Sequence, residues 1–228
     1  MAITVTNASF FPRRLSQYVK AMRYHADINM GNGITRVSFG SPVVASATAI
    51  LSAQSINTAG STTTLLLANN TLDGTWGRCL QYVASGAATS TVTVDGFDYL
   101  NQPMTETITL NGASIVNGLK AFKYIRQVSW TNTSATTINV GHRNVFGLPF
   151  KALKAEYETT DSALAAAGTL TAAVLTDPQT ATTGDPRGTY TFTTTPDGVK
   201  VITAGIQFNN DVNASNNGGL HGIAHFTS

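Results

Sequence analysis

Asp95, Asp98 and Glu106 fall within one short stretch of this 228-residue chain, and carboxylates so close together raise the question of acid–base work on a glycosidic bond. That chemistry needs two carboxyl groups roughly 5–10 Å apart across a cleft. No further acid–base group accompanies them in sequence, and aspartates beside a turn have a simpler use, accepting hydrogen bonds from nearby backbone N–H groups. His221 and His225 would share a face if the chain there is extended, because they are four apart and a strand has period two. Two histidines begin a metal site, but no acid or cysteine lies near them, so they read as surface or inter-subunit residues. His25 and His142 are isolated. Gly31-Asn-Gly33 lacks the third glycine and the preceding strand of a phosphate loop. The chain contains no Gly-x-Ser-x-Gly elbow, no His-Glu-x-x-His and no P-loop. The sequence therefore assigns no catalytic residue, no metal site and no cofactor, and the expectation is a protein that is not an enzyme.

The polar surface explains why such chemistry is absent. Only 11% of residues are charged, while threonine, serine and asparagine recur in runs such as Ser61–Thr64, Thr131–Ser134 and Thr191–Thr195. Strands solvated by hydroxyls and amides suit packing against copies of themselves or against other proteins. A net charge of +2 gives no basic stripe for nucleic acid. The most apolar short stretches, 42–51 and 65–68, are too short to span a bilayer. Met1-Ala-Ile-Thr-Val5 has no charged region followed by an apolar one, so a cytoplasmic origin is expected. Cys79 is the single cysteine, which rules out an internal disulfide and leaves a small buried hydrophobe as its reading. The Asn-x-Ser/Thr triplets at Asn7, Asn69, Asn132 and Asn213 follow from composition. Trp76, Tyr82 and Tyr99 are candidates for stacking on a sugar, although core and interface anchoring is the plainer use of such rings.

The elements that would position these residues are mostly strands. Thr91–Asp95 and Met104–Leu110 alternate around a Gly/Asn/Pro-rich segment and predict a hairpin with a longer loop. Asn111-Gly112 turns the chain again. Ala121–Trp130 places Phe122, Tyr124, Val128 and Trp130 on one face, and Thr136–Val140 follows, so an antiparallel meander is expected from about 78 to 147. A second β region starts near Gly188, with Thr195-Pro-Asp-Gly198 as a turn and Val199–Phe208 as a strand. Helix is scarce: Arg13–Asp27 has Leu15, Val19 and Met22 at helical spacing, and Ser162–Ala167 is alanine-rich but is stopped by Gly168.

The expected fold is thus all-β, an antiparallel β-sandwich of immunoglobulin-like or jelly-roll-like type, with an extended N-terminal arm and one short helix. Residues 1–40 form the arm, and residues 41–228 form the sandwich domain with a C-terminal β extension from about 188. Phe10, Phe11, Arg13 and Arg14 are the candidates for anchoring the arm to a partner protein or a neighbouring subunit. Glu106 falls on the face of Met104, Ile108 and Leu110, and Arg126 on the face of Phe122, Tyr124 and Val128. A carboxylate on a core-facing side is costly unless it is paired, so Glu106 and Arg126 are expected to meet, either within the sandwich or across a subunit boundary. The alternative is a bulge that turns one of them outward.

The run from Thr91 to Gly112, with its Gly96-Phe-Asp98 turn, its Glu106-Thr-Ile108 strand and its Asn111-Gly112 turn, resembles a pattern in small virion proteins of tailed bacteriophages. Gly118–Ile125, Gly147-Leu-Pro-Phe150 and Gly184–Tyr190 continue the likeness, which covers about residues 40 to 205. It implies a non-enzymatic capsid decoration or cement protein of the virion, made in the host cytoplasm and bound to the major capsid protein as a homo-oligomer, with a trimer favoured. It implies no nucleic-acid or membrane partner. The competing readings are a tail or head–tail adaptor component and a host-glycan-binding module.

Overall fold

The computed structural model describes residues 34–56, 62–131 and 136–208. Phe10, Phe11, Arg13, Arg14, the Arg13–Asp27 segment, His221 and His225 lie outside the described residues. The described chain is all-β, with fourteen strands and no helix among these residues. One sheet has the order β3 (Thr62–Thr71), β8 (Tyr124–Thr131), β5 (Thr91–Phe97), β6 (Pro103–Thr109). A second runs β12 (Thr169–Thr171), β13 (Thr189–Thr191), β9 (Thr136–Gly147), β4 (Arg78–Ala84), β7 (Val116–Phe122), with β2 (Ser46–Ile56) also on β9. The third is β1 (Ile34–Gly40), β14 (Ile202–Phe208), β10 (Ala152–Thr160), β11 (Ala163–Ala166). All pairings are antiparallel.

The long strand β9 links two hydrophobic clusters. β4 takes one of its edges, while β2 and β13 take successive parts of the other. Ile138 and Val140 of β9 pack with Leu80, Tyr82, Val92, Val94, Met104 and Trp130, so the first cluster lies between the first two sheets. Phe146, six residues beyond Val140, packs with Val37, Phe39, Tyr190, Ile202 and Ile206 of the second cluster. Its ring stacks on Phe192 at 4.5 Å, and Phe39 stacks on Tyr190 at 5.7 Å. Each such fully buried side chain contributes roughly 1.5–3 kcal/mol by leaving water.

Several sequence expectations are corrected by this topology. The β5–β6 hairpin forms as expected, and its register places Val94 opposite Glu106. The run 121–130, however, is not one strand. It breaks at Lys123, so β7 joins the second sheet and β8 the first. Lys123 holds that step: its N–H bonds to Phe97 O, its carbonyl accepts from Leu72 N–H, and its ammonium reaches Leu72 O and Gly74 O. A meander is therefore replaced by an exchange between sheets. The alanine-rich 163–166 segment is strand β11, because Asp161 and Ser162 at φ 49° and 72° make a left-handed two-residue turn that folds it back on β10. Residues 34–40 belong to a sheet as β1 rather than to an arm, paired with β14.

Candidate functional site

Residues 172–188 connect β12 to β13 as a strap laid across the edges of two sheets. On one side the strap completes the exposed edge of β6: Thr105 N–H donates to Pro178 O and Thr107 N–H to Ala181 O. Asp177 shapes the crossing by accepting from Gln179 N–H, and Thr180 N–H closes back on Asp177 O. Gly188, at φ +83°, ends the strap where a Cβ would run into the backbone of Thr171 and Ala173.

Beneath the strap, two buried carboxylates replace the strand that β7 lacks on its outer edge. Glu106, on the neighbouring strand β6, accepts from Leu119 N–H at 2.6 Å and Lys120 N–H at 3.0 Å through Oε1. Its Oε2 accepts from the Tyr82 hydroxyl at 2.7 Å. Asp185, on the strap, accepts from Ala121 N–H through Oδ2 and from Arg187 N–H through Oδ1. Burial pushes both carboxyls up, and the backbone N–H bonds oppose that rise. An edge strand whose N–H groups meet carboxylates within the fold offers no pairing surface along that stretch.

Lys120 completes the arrangement. Its ammonium is buried and donates to three carbonyls, Thr105 O, Pro178 O and Thr180 O, at 2.6, 2.7 and 2.6 Å. It pins strap to β6, and burial pulls its pKa down to about 8. At the far end Arg187 donates through Nη1 to Asp98 Oδ2 at 3.0 Å and lies 4.9 Å over the Tyr99 ring. Asp98 uses its other oxygen to accept from Leu100 and Gln102 N–H. The turn role expected of Asp98 is therefore real, and the ion pair to a residue 89 positions away is an addition the sequence did not reveal. Two Arg187 donors, Nε and Nη2, are buried without a hydrogen-bond partner, so the cation is held by charge and by the tyrosine face.

The pairing of Glu106 with Arg126 is corrected. Glu106 is buried as its core-facing position requires, but its oxygens are taken by Tyr82, Leu119 and Lys120. Arg126 is exposed. It is the extra residue of a bulge, since Asp95 pairs with Gln127 while Gly96 pairs with Ile125. The bulge resets the alternation so that Ile125 and Val128 point inward and Arg126 outward. Gly96 lets it form, because a Cβ there would collide with Tyr124 O and come within 3.2 Å of Ile125 Cα.

The proposed sugar-stacking rings are also committed elsewhere. Tyr82 is buried in the first cluster, and Trp76 meets Tyr99 edge-on at 5.1 Å while its indole N–H donates to Ser38 O. Sequence reasoning missed Glu158, a further buried carboxylate, which accepts from Thr193 N–H and hydroxyl, Thr194 N–H and the Tyr190 hydroxyl. It also missed Arg78, buried between Asp73, Asn144, Val43 O and Arg143 O.

Chemically, these groups hold strands. Each of the four buried carboxylates accepts hydrogen bonds from its own chain at both oxygens. Burial pushes the Cys79 thiol well above its ordinary value, which disfavours the thiolate. Among the described residues no three His, Cys, Asp or Glu side chains gather as a metal site. No family model, curated protein or solved structure matches the chain.

Proposed function

We propose that this chain is a non-enzymatic bacteriophage virion protein that decorates the capsid, built as a pair of β-sandwiches sharing strand β9. The observation that carries the reading is the use of its buried ions. Glu106, Asp98, Asp185 and Glu158 are all spent on backbone N–H groups and partners of the same chain. A protein that invests its few charges in locking strands and a strap is organised for mechanical persistence. The resemblance of 91–112 and the following segments to small phage virion proteins supplies the particle.

The surface suits lateral packing. Thr/Asn/Ser-rich faces are less costly to desolvate than charged ones. Leu164 at 75% exposure and Val199 at 79% are apolar side chains on strand β11 and beside the Asp197-Gly198 turn, where an adjacent subunit would cover them. An oligomer, with a trimer favoured, would touch several capsid subunits, each later contact forming at high effective concentration. The arm anchors Phe10, Phe11, Arg13 and Arg14 extend the same scheme. The test is add-back to capsids lacking the protein. Saturable binding at a fixed ratio to the capsid subunit, with a raised temperature of genome release, is the expected result; absence of binding to the capsid shell rejects the assignment.

A further inference from the structure

The second sheet carries a cavity that none of the strand-holding bonds fills. It has a volume of about 300 Å³ and lies between the sheet and the strap. Cys79 and Val145 contribute to its lining from the sheet, Gly118 and Leu119 from β7, and Val174, Gly184 and Gly188 from the strap. Leu119 and Val174 are 54% and 37% exposed, and the adjoining Leu175 is 50% exposed. These apolar groups are not consumed by either hydrophobic cluster.

Arg143 gives this cavity a sign. Its Nη1 donates to Gly118 O at 2.8 Å, and among the described residues it has no carboxylate partner. Asp185 also lines the cavity, but its oxygens are engaged by Ala121 N–H and Arg187 N–H, with the Arg187 guanidinium alongside. A half-buried guanidinium beside aliphatic walls is complementary to a carboxylate carried next to an aliphatic group.

We propose that the cavity is a docking site for an acidic peptide segment. An Asp or Glu carboxylate of the segment meets Arg143, and a neighbouring aliphatic side chain fills the space among Leu119, Val145 and Val174. A polypeptide fits better than a free small molecule. Small-molecule pockets run from roughly 300 to 1,000 Å³ and enclose most of their ligand. This cavity sits at the bottom of that range, and its walls at Thr171, Ala172 and Val174 are exposed. It therefore accommodates one or two side chains of a chain that continues outside. The inference concerns peptide chemistry and stands independently of the capsid role.

The experiment uses acetylated, amidated hexapeptide pools, each fixed at one position, so that side chains carry the only charges. Binding is read by fluorescence polarisation, and the best peptide is mapped by methyl NMR. Pools fixed as Asp or Glu should bind at least tenfold more tightly than pools fixed as Asn or Gln, with shifts at Leu119, Val145 and Val174. Arg143→Gln should erase the acid preference, and Arg143→Lys should keep part of it. Ala172→Phe, a substitution at an exposed wall position, should block every pool while leaving thermal unfolding unchanged. No acid preference, a preference that survives in Arg143→Gln, or shifts confined to another surface would overturn the proposal.

Discussion

The Glu106 carboxylate occupies the space that a side chain at position 118 would fill: a Cβ on Gly118 would collide with Glu106 Oε2 and lie 3.1 Å from both Glu106 Cδ and Leu80 O. The glycine and the carboxylate are two halves of one device. A residue without a side chain lets a neighbouring strand's carboxylate reach the N–H groups of Leu119 and Lys120. Gly118 is not in the left-handed region, so its requirement is steric rather than conformational.

Gly118→Ala should therefore destabilise the fold by about 2–4 kcal/mol, well beyond the usual cost of a surface change. Urea unfolding followed by circular dichroism measures it. A cost within about 0.5 kcal/mol of wild type would mean that the Glu106 bonds are not maintained.

Glu106→Leu removes both acceptor oxygens and leaves the buried N–H groups of Leu119 and Lys120 unmet, and it should cost about 2–3 kcal/mol. Arg126→Ala, on the exposed bulge, should stay within about 0.5 kcal/mol. Denaturant midpoints of the two variants separate this arrangement from a Glu106–Arg126 ion pair, for which both substitutions would be costly.

The buried tyrosines give the protein an alkaline limit. The Tyr190 hydroxyl, beside Glu158 and bonded by Gly168 N–H, is pushed by burial from 10.0 up to about 12. The folded state therefore keeps a proton that the unfolded chain releases, and the stabilisation is full below pH 10 and is lost as pH rises through about 12. The stability advantage of wild type over Tyr190→Phe should shrink by about 1–2 kcal/mol between pH 9 and 11.5. Parallel pH profiles for the two proteins would contradict this.

How much of this could be read from the sequence depended on how local the cause was. The β5–β6 hairpin was legible because Val92 and Val94 alternate against Glu106 and Ile108 across a loop rich in turn formers. Asp98 and the Asp197-Gly198 turn were legible for the same reason, their hydrogen bonds closing within a few residues. The break at Lys123 was hidden because Phe122 and Tyr124 keep strand alternation across it. The β10–β11 hairpin was hidden because its Asp161-Ser162 turn contains no glycine. The strap was invisible for a different reason: Lys120 finds Pro178 58 positions away, and no local pattern specifies such a pairing. The core-facing position of Glu106 did signal a buried carboxylate, but its partners are backbone N–H groups and a tyrosine, which periodicity cannot single out.

The proposed lattice-wide structural role is tested most directly by counting this protein in purified virions, using quantitative mass spectrometry against the major capsid protein. The account predicts hundreds of copies per particle in a fixed ratio to the capsid subunit. A dozen or so copies would contradict it and assign the chain to the neck or tail.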